Sequence, residues 1–281
     1  MTPDRRLTPA TDRIALTSLR GVLDRPEWTD GAARRLAVPL ADLCRSPDGP
    51  RDRQVIFGTD LTLIQADGDW SFVQSALDGY CGWLRSDALT ADRPHLTHRV
   101  AAAATQIYPQ PDFKSREVAS LTLNSRLSVT GIQGRFAALS GGGFVPVQHI
   151  TDRPDTDPVA VAERLLHTPY LWGGNSRGGI DCSGLVQAAA TACGLACPGD
   201  SDLQRAAFPV ATGDLRRGDL LFWPGHVAMV SGPDRMIHAN ANAMAVCHEA
   251  ISAAKTRIQA AGDGPFLDAR RPPWPQAAVT G

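Results

Sequence analysis

The chain has 281 residues, with 28 Lys and Arg against 29 Asp and Glu, for a formal net charge of −1. Neither that balance nor any local run of charge supplies the basic stripe that draws in nucleic acid by counterion release or an anionic membrane by attraction. Hydrophobic residues at 43% and charged residues at 20% exclude a disordered chain and suit two or three small domains.

Residues 1–34 are polar, with Arg5, Arg6, Arg13, Arg20 and Arg34 set among aliphatics, and read as an extended or helical lead-in. They lack the apolar core of a signal peptide, and no later stretch reaches the roughly 18 apolar residues of a spanning helix. The expected location is therefore cytoplasmic. Residues 35–92 change to short alternating runs, LAVPLADLC, QVIFGTDLTLIQADGDWSFVQ and GYCGWLRSDAL, separated by Pro, Gly and Asp turns. That spacing predicts a small β-barrel. Residues 93–151 repeat the plan with a period of about 60 residues. In each copy a strand runs into an aliphatic-Gly or aliphatic-Asn turn, then a strand, a Gly turn near Asp67 or Gly134, and a strand opened by an aromatic residue. Both stretches resemble bacterial SH3-like barrels; two halves of one larger sandwich is the alternative.

The proline-punctuated segment TDRPDTDP, residues 151–158, reads as a linker. Beyond it the chain is alanine-rich, and VAVAERLLHTPY predicts an amphipathic helix stopped by Pro169. This third unit, residues 155–272, carries the candidate chemistry. The tail, 273–281, starts within a PPWP string and reads as frayed or docked. The six cysteines, Cys44, Cys81, Cys182, Cys193, Cys197 and Cys247, include no C-x-x-C pair. A disulfide framework and a zinc site are both unexpected on that spacing.

In YLWGGNSRGGIDCSGLVQAAATACGL a loop with Gly173, Gly174, Gly178 and Gly179 leads to Asp181, a good helix N-cap, and then to Cys182. Cys182 would sit in the first helical turn, where free backbone N–H groups and the helix dipole favour a thiolate and can bind an oxyanion. Cys193, three turns on among Leu185, Val186 and Ala189, reads as core. Cys44, Cys81 and Cys247 fall in apparent strands and have the same bland reading.

A cysteine nucleophile needs a base, and imidazole titrates in the right range. The runs DLLFW, HVAMV, RMIHAN and AVCHEA predict consecutive strands, with His226 opening the second and His238 in the third. A loop at Ser231–Pro233 would set His238 opposite His226, whereas a loop at Gly232–Asp234 would set Asn240 there. Either residue can accept a hydrogen bond from the base and hold its tautomer.

GGIDCSGLVQ, GDLLFWPGHVAMV and MIHANA resemble the three catalytic segments of the NlpC-type cysteine peptidases, bacterial enzymes with a papain-like fold that cut peptidoglycan peptides. The resemblance spans residues 155–271. It implies Cys182 as nucleophile, His226 as base, His238 as orienter and Tyr170 in an assisting role near the oxyanion. It also implies an α+β protein, two SH3-like β-barrels followed by a papain-like domain whose cysteine-bearing helix packs on an antiparallel sheet.

The two preceding SH3-like stretches, the QVIFG and DGYCGWL strings and DSDLQ further resemble the γ-D-glutamyl-L-diamino acid endopeptidases that recycle wall peptides. In those enzymes the free amine of an L-alanyl-γ-D-glutamyl substrate is held between the first SH3-like unit and the catalytic unit. The resemblance carries that role to Tyr80, Asp181, Ser183, Asp200 and Ser201, with Trp172 as an apolar wall. An ammonium group in a confined site does need a carboxylate and neutral acceptors. Relatives have a glutamate where this chain has Thr59, so amine recognition is either weaker or taken over by Asp60.

The reading is a cysteine endopeptidase acting on short murein peptides with a free N-terminal L-Ala, needing no metal or organic cofactor and no obligate protein partner. The alternatives are an amidase or acyltransferase of the same fold and a non-catalytic wall-binding module.

Overall fold

The computed structural model describes residues 4–275; residues 1–3 of the lead-in and 276–281 of the tail lie outside the described residues. The chain divides into two units, Met1–Asp152 and Arg153–Gly281.

In the first unit the alternating runs form one seven-stranded antiparallel sheet. Its strands lie in the order Arg51–Ile56, Leu40–Cys44, Cys81–Arg85, Trp70–Ser75, Asp60–Asp67, Ala32–Leu36, Leu89–Thr90. The inward-facing members of these alternating strands, Leu36, Leu43, Val55, Leu61, Val73 and Leu84, make its core together with Tyr80. The sheet begins at Ala32, inside the stretch expected to be lead-in. Among its described residues that stretch has no α-helix, only a 3₁₀ turn at Thr17–Leu19: Ile14–Leu16 pairs in parallel with Glu27–Thr29, and Ile14 and Leu16 pack on a second cluster around Ile64, Phe72 and Cys81.

Residues 98–151 form three smaller sheets around Val100, Leu121, Leu127, Ala137 and Val145. The order of local events repeats that of the first set. Gly58 and Asn124 both take left-handed backbone after an aliphatic or aromatic residue, and Gly68 and Gly134 do so ahead of the strands opened by Trp70 and Phe136. A 3₁₀ turn and a two-residue strand close each set. Phe57, from the first set, packs on the core of the second, which ties both into one unit.

In the second unit, Asp157 caps α1 (Pro158–Glu163) by accepting from the N–H groups of Val159 and Ala160. This helix is shorter than the pattern predicts. The chain leaves it through turns before Pro169, with His167 at φ 64°. α2 (Cys182–Ala192) is buried at almost every position. A helix apolar on all sides needs cover on all sides: α1 and α3 (Ser201–Ala207) pack against it, as do the strands His226–Gly232 and Arg235–Asn240.

Those strands belong to a five-stranded antiparallel sheet in the order Ala245–Ala250, Arg235–Asn240, His226–Gly232, Leu220–Trp223, Asp268–Arg270. The four strands read from the sequence are all present. α4 (Ile251–Ala261) and the Asp268–Arg270 strand have no counterpart in the sequence reading. α4 buries Ile251, Ala254 and Ile258 against Leu221, Trp223, Ala228, Val230 and Met236. Trp274 docks the start of the tail by donating from Nε1 to the Gly218 carbonyl at 2.9 Å. No helix among the described residues is long and apolar enough to cross a membrane.

Gly184, in the first turn of α2, shows how tightly this unit is set. A Cβ there would lie 2.6 Å from the Gly174 carbonyl oxygen, so the glycine loop and the helix meet backbone to backbone. Gly184→Ala is expected to destabilise the second unit by roughly 1–3 kcal/mol, read as a lower urea midpoint with an unchanged slope.

Candidate active site

Cys182 is the first residue of α2, and Asp181 is its N-cap, extended in backbone and accepting from the Gly184 N–H at 2.6 Å. The same carboxylate accepts from the Ser183 hydroxyl at 3.0 Å and from the Gly173 N–H at 2.9 Å. Asp181 thus fastens the glycine loop to the helix start and fixes where the sulfur points. Opposite it, Pro224 and Gly225 make the two-residue turn between the paired residues Trp223 and His226. Proline presets one backbone angle of such a turn and glycine, at φ 69°, takes the left-handed one. His226 therefore opens its strand immediately after a rigid corner.

The sulfur meets that corner. Cys182 Sγ lies 4.0 Å from the Gly225 carbonyl oxygen, and the Val227 N–H faces it as a hydrogen-bond donor. Pairing between the His226 and Arg235 strands runs no further toward the corner than Met229 with Ile237. The backbone edge beside His226 is thus open, and the sulfur occupies it.

Continuing that register would set Asn240 across from His226, the arrangement expected for a Gly232–Asp234 loop. The imidazole nevertheless bonds the diagonal neighbour: His226 Nε2 and His238 Nδ1 are 2.9 Å apart. Diagonal cross-strand pairs lie within reach of long side chains. Asn240 instead places Nδ2 at 2.9 Å from His238 Nε2 and accepts from the Ala243 N–H at 2.7 Å. Behind His238, Glu249 Oε2 stands 3.1 Å from Nε2 and Arg257 grips the same carboxylate with two hydrogen bonds of 2.7 and 2.9 Å.

Two influences oppose the thiolate expected at the helix start. Burial first, and then the negative charge of Asp181, push the Cys182 thiol up to about 12. The N–H groups of Val227, Ser183 and Cys182 itself act in the direction the helix start predicts, and desolvation outweighs them. His226 is pushed down to about 3 by burial, then by the cationic forms of His238 and Arg257. His238 falls to about 4, again chiefly by burial, with Glu249 opposing. Desolvation thus acts in favour of a neutral thiol and neutral imidazoles.

Tyr170 is held by its N–H on the Met244 carbonyl at 2.9 Å and by a bridge to Ile180. Burial, then the nearby Cys182 and Asp181, raise its phenol above the usual range, so it stays a donor. Asp200 and Ser201 start α3, which is latched to α2 by Gln204 Nε2 donating to the carbonyls of Ser183 and Pro198, both at 2.9 Å. Trp172 is 68% exposed on the glycine loop.

Tyr80 belongs to the first unit, in its core cluster, with the Arg53 guanidinium 5.1 Å from its ring centre. Thr59 is buried and donates to the Ile56 carbonyl at 2.8 Å. Asp60 is already balanced by Arg35 at 2.8 Å, with Arg93 and Arg126 at 3.4 and 3.9 Å. Sequence reasoning missed Glu249 and Arg257. Glu249 alternates with Cys247 in the AVCHEA strand, a signal visible only once that strand is paired with the one bearing His238.

The NlpC/P60 family model matches residues 167–259, from just before Tyr170 through Arg257. A second model, the bacterial dipeptidyl-peptidase SH3 domain, matches residues 43–89, within the seven-stranded sheet. A γ-D-glutamyl-L-lysine dipeptidyl-peptidase of Bacillus subtilis strain 168 is 30% identical over 212 residues, 66% of this chain and 71% of that protein. This chain belongs to the NlpC/P60 family. A γ-D-glutamyl-L-lysine dipeptidyl-peptidase of Bacillus cereus is 29% identical over 222 residues, 67% of each chain. The crystal structure of an NlpC/P60 family protein from Bacillus cereus has the same fold, with TM-score 0.73 and 21% identity, covering 85% of this chain and 99% of that one. This NlpC/P60 protein therefore carries an SH3 domain ahead of a papain-like peptidase domain.

The buried imidazoles give the NlpC/P60 unit a definite pH response. Unfolded histidine takes up a proton near pH 6.5, while His226 and His238 resist one until about 3 and 4. In that window the unfolded state binds more protons, so stability falls as pH is lowered from 6.5. Carboxylates such as Glu249 act only further down, their folded values being lowered. The thermal midpoint is expected to drop between pH 6.5 and 5, and His238→Asn to flatten that slope.

Proposed function

We propose that the protein is a cysteine endopeptidase that hydrolyses the γ-D-glutamyl-diamino acid bond of short murein peptides bearing a free N-terminal L-Ala. The observation that carries this reading is the Cys182 sulfur set against the backbone on either side of His226, with the His226 ring bonded to His238 at 2.9 Å. The relatives named for γ-D-glutamyl-L-lysine dipeptidyl-peptidase activity support the choice of bond.

In this mechanism the Cys182 thiol gives its proton to His226 as the sulfur attacks the γ-carbonyl. The oxyanion draws on the N–H groups at the start of α2 and on the Tyr170 hydroxyl. His238 holds the His226 ring. The imidazolium then gives its proton to the departing amine of the diamino acid, leaving a thioester on Cys182. Water, deprotonated by His226, releases the dipeptide. Burial serves this sequence, because a neutral thiol and imidazole tolerate desolvation, and the charges appear only as fixed donors meet them.

For recognition of the free amine we assign Asp200 and Ser201 at the start of α3, with Trp172 as an apolar surface and Asp181 and Ser183 acting mainly to set the loop and helix. Tyr80 is assigned on the family resemblance alone. Residues 93–151 are read as a second SH3-like domain on the repeated order of turns and strands, and peptide recycling in the cytoplasm as the setting.

Turnover of L-Ala-γ-D-Glu-diaminopimelate, followed by release of the diamino acid, tests the reading. Cys182→Ala is expected to abolish it and His226→Ala to lower kcat by about 10³-fold or more. Acetylating the alanine amine should depress kcat/KM on the order of 10²-fold, whereas changes beyond the diamino acid should matter little. Full activity in Cys182→Ala would overturn the mechanism. An adduct with an added amine, in place of the hydrolysed product, would point to an acyltransferase.

A further inference from the structure

The hydrogen bonds behind His226 admit two arrangements of protons, and only one leaves a base. In the first, His238 carries its proton on Nε2 and donates it to Glu249, so its Nδ1 accepts from His226 Nε2–H. His226 Nδ1 is then bare. In the second, His238 Nε2 accepts from Asn240 Nδ2, its proton sits on Nδ1 and is donated to His226 Nε2, and His226 must carry its own proton on Nδ1. That form cannot take a proton from Cys182.

Asn240 and Glu249 thus compete for one nitrogen, at 2.9 and 3.1 Å. Asn240 cannot turn over to end the conflict, because its Oδ1 accepts from the Ala243 N–H at 2.7 Å. Its Nδ2 has a second acceptor in Cys247 Sγ at 3.2 Å. The first arrangement sets a neutral N–H against an amide N–H. The second sets an imidazole lone pair against a carboxylate bearing a full charge and gives up a charge-assisted bond, roughly twice as strong as a neutral one. The bidentate grip of Arg257 keeps that carboxylate ionised and in place. Resting on the peptidase reading above, we propose that Glu249, clamped by Arg257, is the positioning residue that fixes the His238 tautomer and so leaves His226 Nδ1 free to act as the base. Glu249 touches neither the sulfur nor the reacting bond, and acts through two rings.

Long-range ¹H–¹⁵N correlation spectra of protein labelled on its imidazoles, at pH 7.5, read both tautomers directly and need no substrate. The wild type is expected to show Nε2–H on both His226 and His238. Glu249→Gln, which keeps the side-chain shape, should move both protons to Nδ1 and lower kcat by about 10²-fold or more with KM little changed, since a wrong tautomer of a triad base can cost up to about 10⁴-fold. An unchanged ring at His248, which meets Ser231 Oγ at 3.2 Å within the same unit as Glu249, shows in the same spectra that the variant is folded. An Nδ1–H on His226 in the wild type, or rings unmoved in Glu249→Gln, overturns the proposal. Should Glu249→Gln fail to fold, Arg257→Gln is expected to shift both tautomers partway, and its failure to do so counts against the proposal equally. A wild type that releases no diamino acid would sink the peptidase reading and leave the tautomer result standing.

Discussion

The 2.9 Å hydrogen bond between His226 and His238 is the interaction on which the rest of the site depends. It joins two strands just where their ladder has stopped, at Met229 and Ile237. A continuous ladder would close the backbone edge beside His226 and leave the Val227 N–H to a strand partner. Because the strands part, that N–H and the Gly225 carbonyl are open to the Cys182 sulfur. The diagonal imidazole bond holds the ring in register across the gap. The open edge and the held ring are thus two sides of one structural feature.

Around that feature the structure keeps charge out until it is needed. Cys182 and His238 are almost wholly buried, and burial pushes the thiol up and the imidazoles down, in each case toward the neutral form. An isolated buried ion would be costly, whereas a neutral pair with aligned donors is not. The charges that do persist nearby are fully engaged. Asp181 accepts three hydrogen bonds from loop and helix, and Glu249 is paired with Arg257. Such anchored dipoles and ions can respond to a developing charge without reorganising.

The supporting elements follow from the same demand for rigidity. Gly184 and Gly174 allow the loop and α2 to touch backbone to backbone, and Gln204 latches α3 to the first turn of α2 through the Ser183 carbonyl. α4 lies under the sheet, burying three side chains and delivering Arg257 to Glu249. Each element thus supports one side chain of the Cys182–His226–His238–Glu249 line. In the first unit, the repeated order of turns in residues 32–90 and 98–151 yields unlike sheets. One is a continuous seven-stranded ladder and the other three short pieces, so a shared local plan does not fix how far pairing extends.

The local pieces are legible along the chain. Asp181 before Cys182 signals a capped helix, and four short apolar runs mark four strands, because capping and side-chain pattern are properties of a few adjacent residues. The resemblance of the Cys182, His226 and His238 segments to one family followed from those same short strings. Tertiary structure alone decided the rest. The diagonal choice of His238 over Asn240 depends on where a ladder ends, which no single strand records. The upward push on the thiol comes from desolvation, which opposes the helix start that the sequence displays. Glu249 and Arg257 become part of the site only when the Ala245–Ala250 strand pairs beside His238 and α4 folds back, since charge and burial act through space and not along the chain.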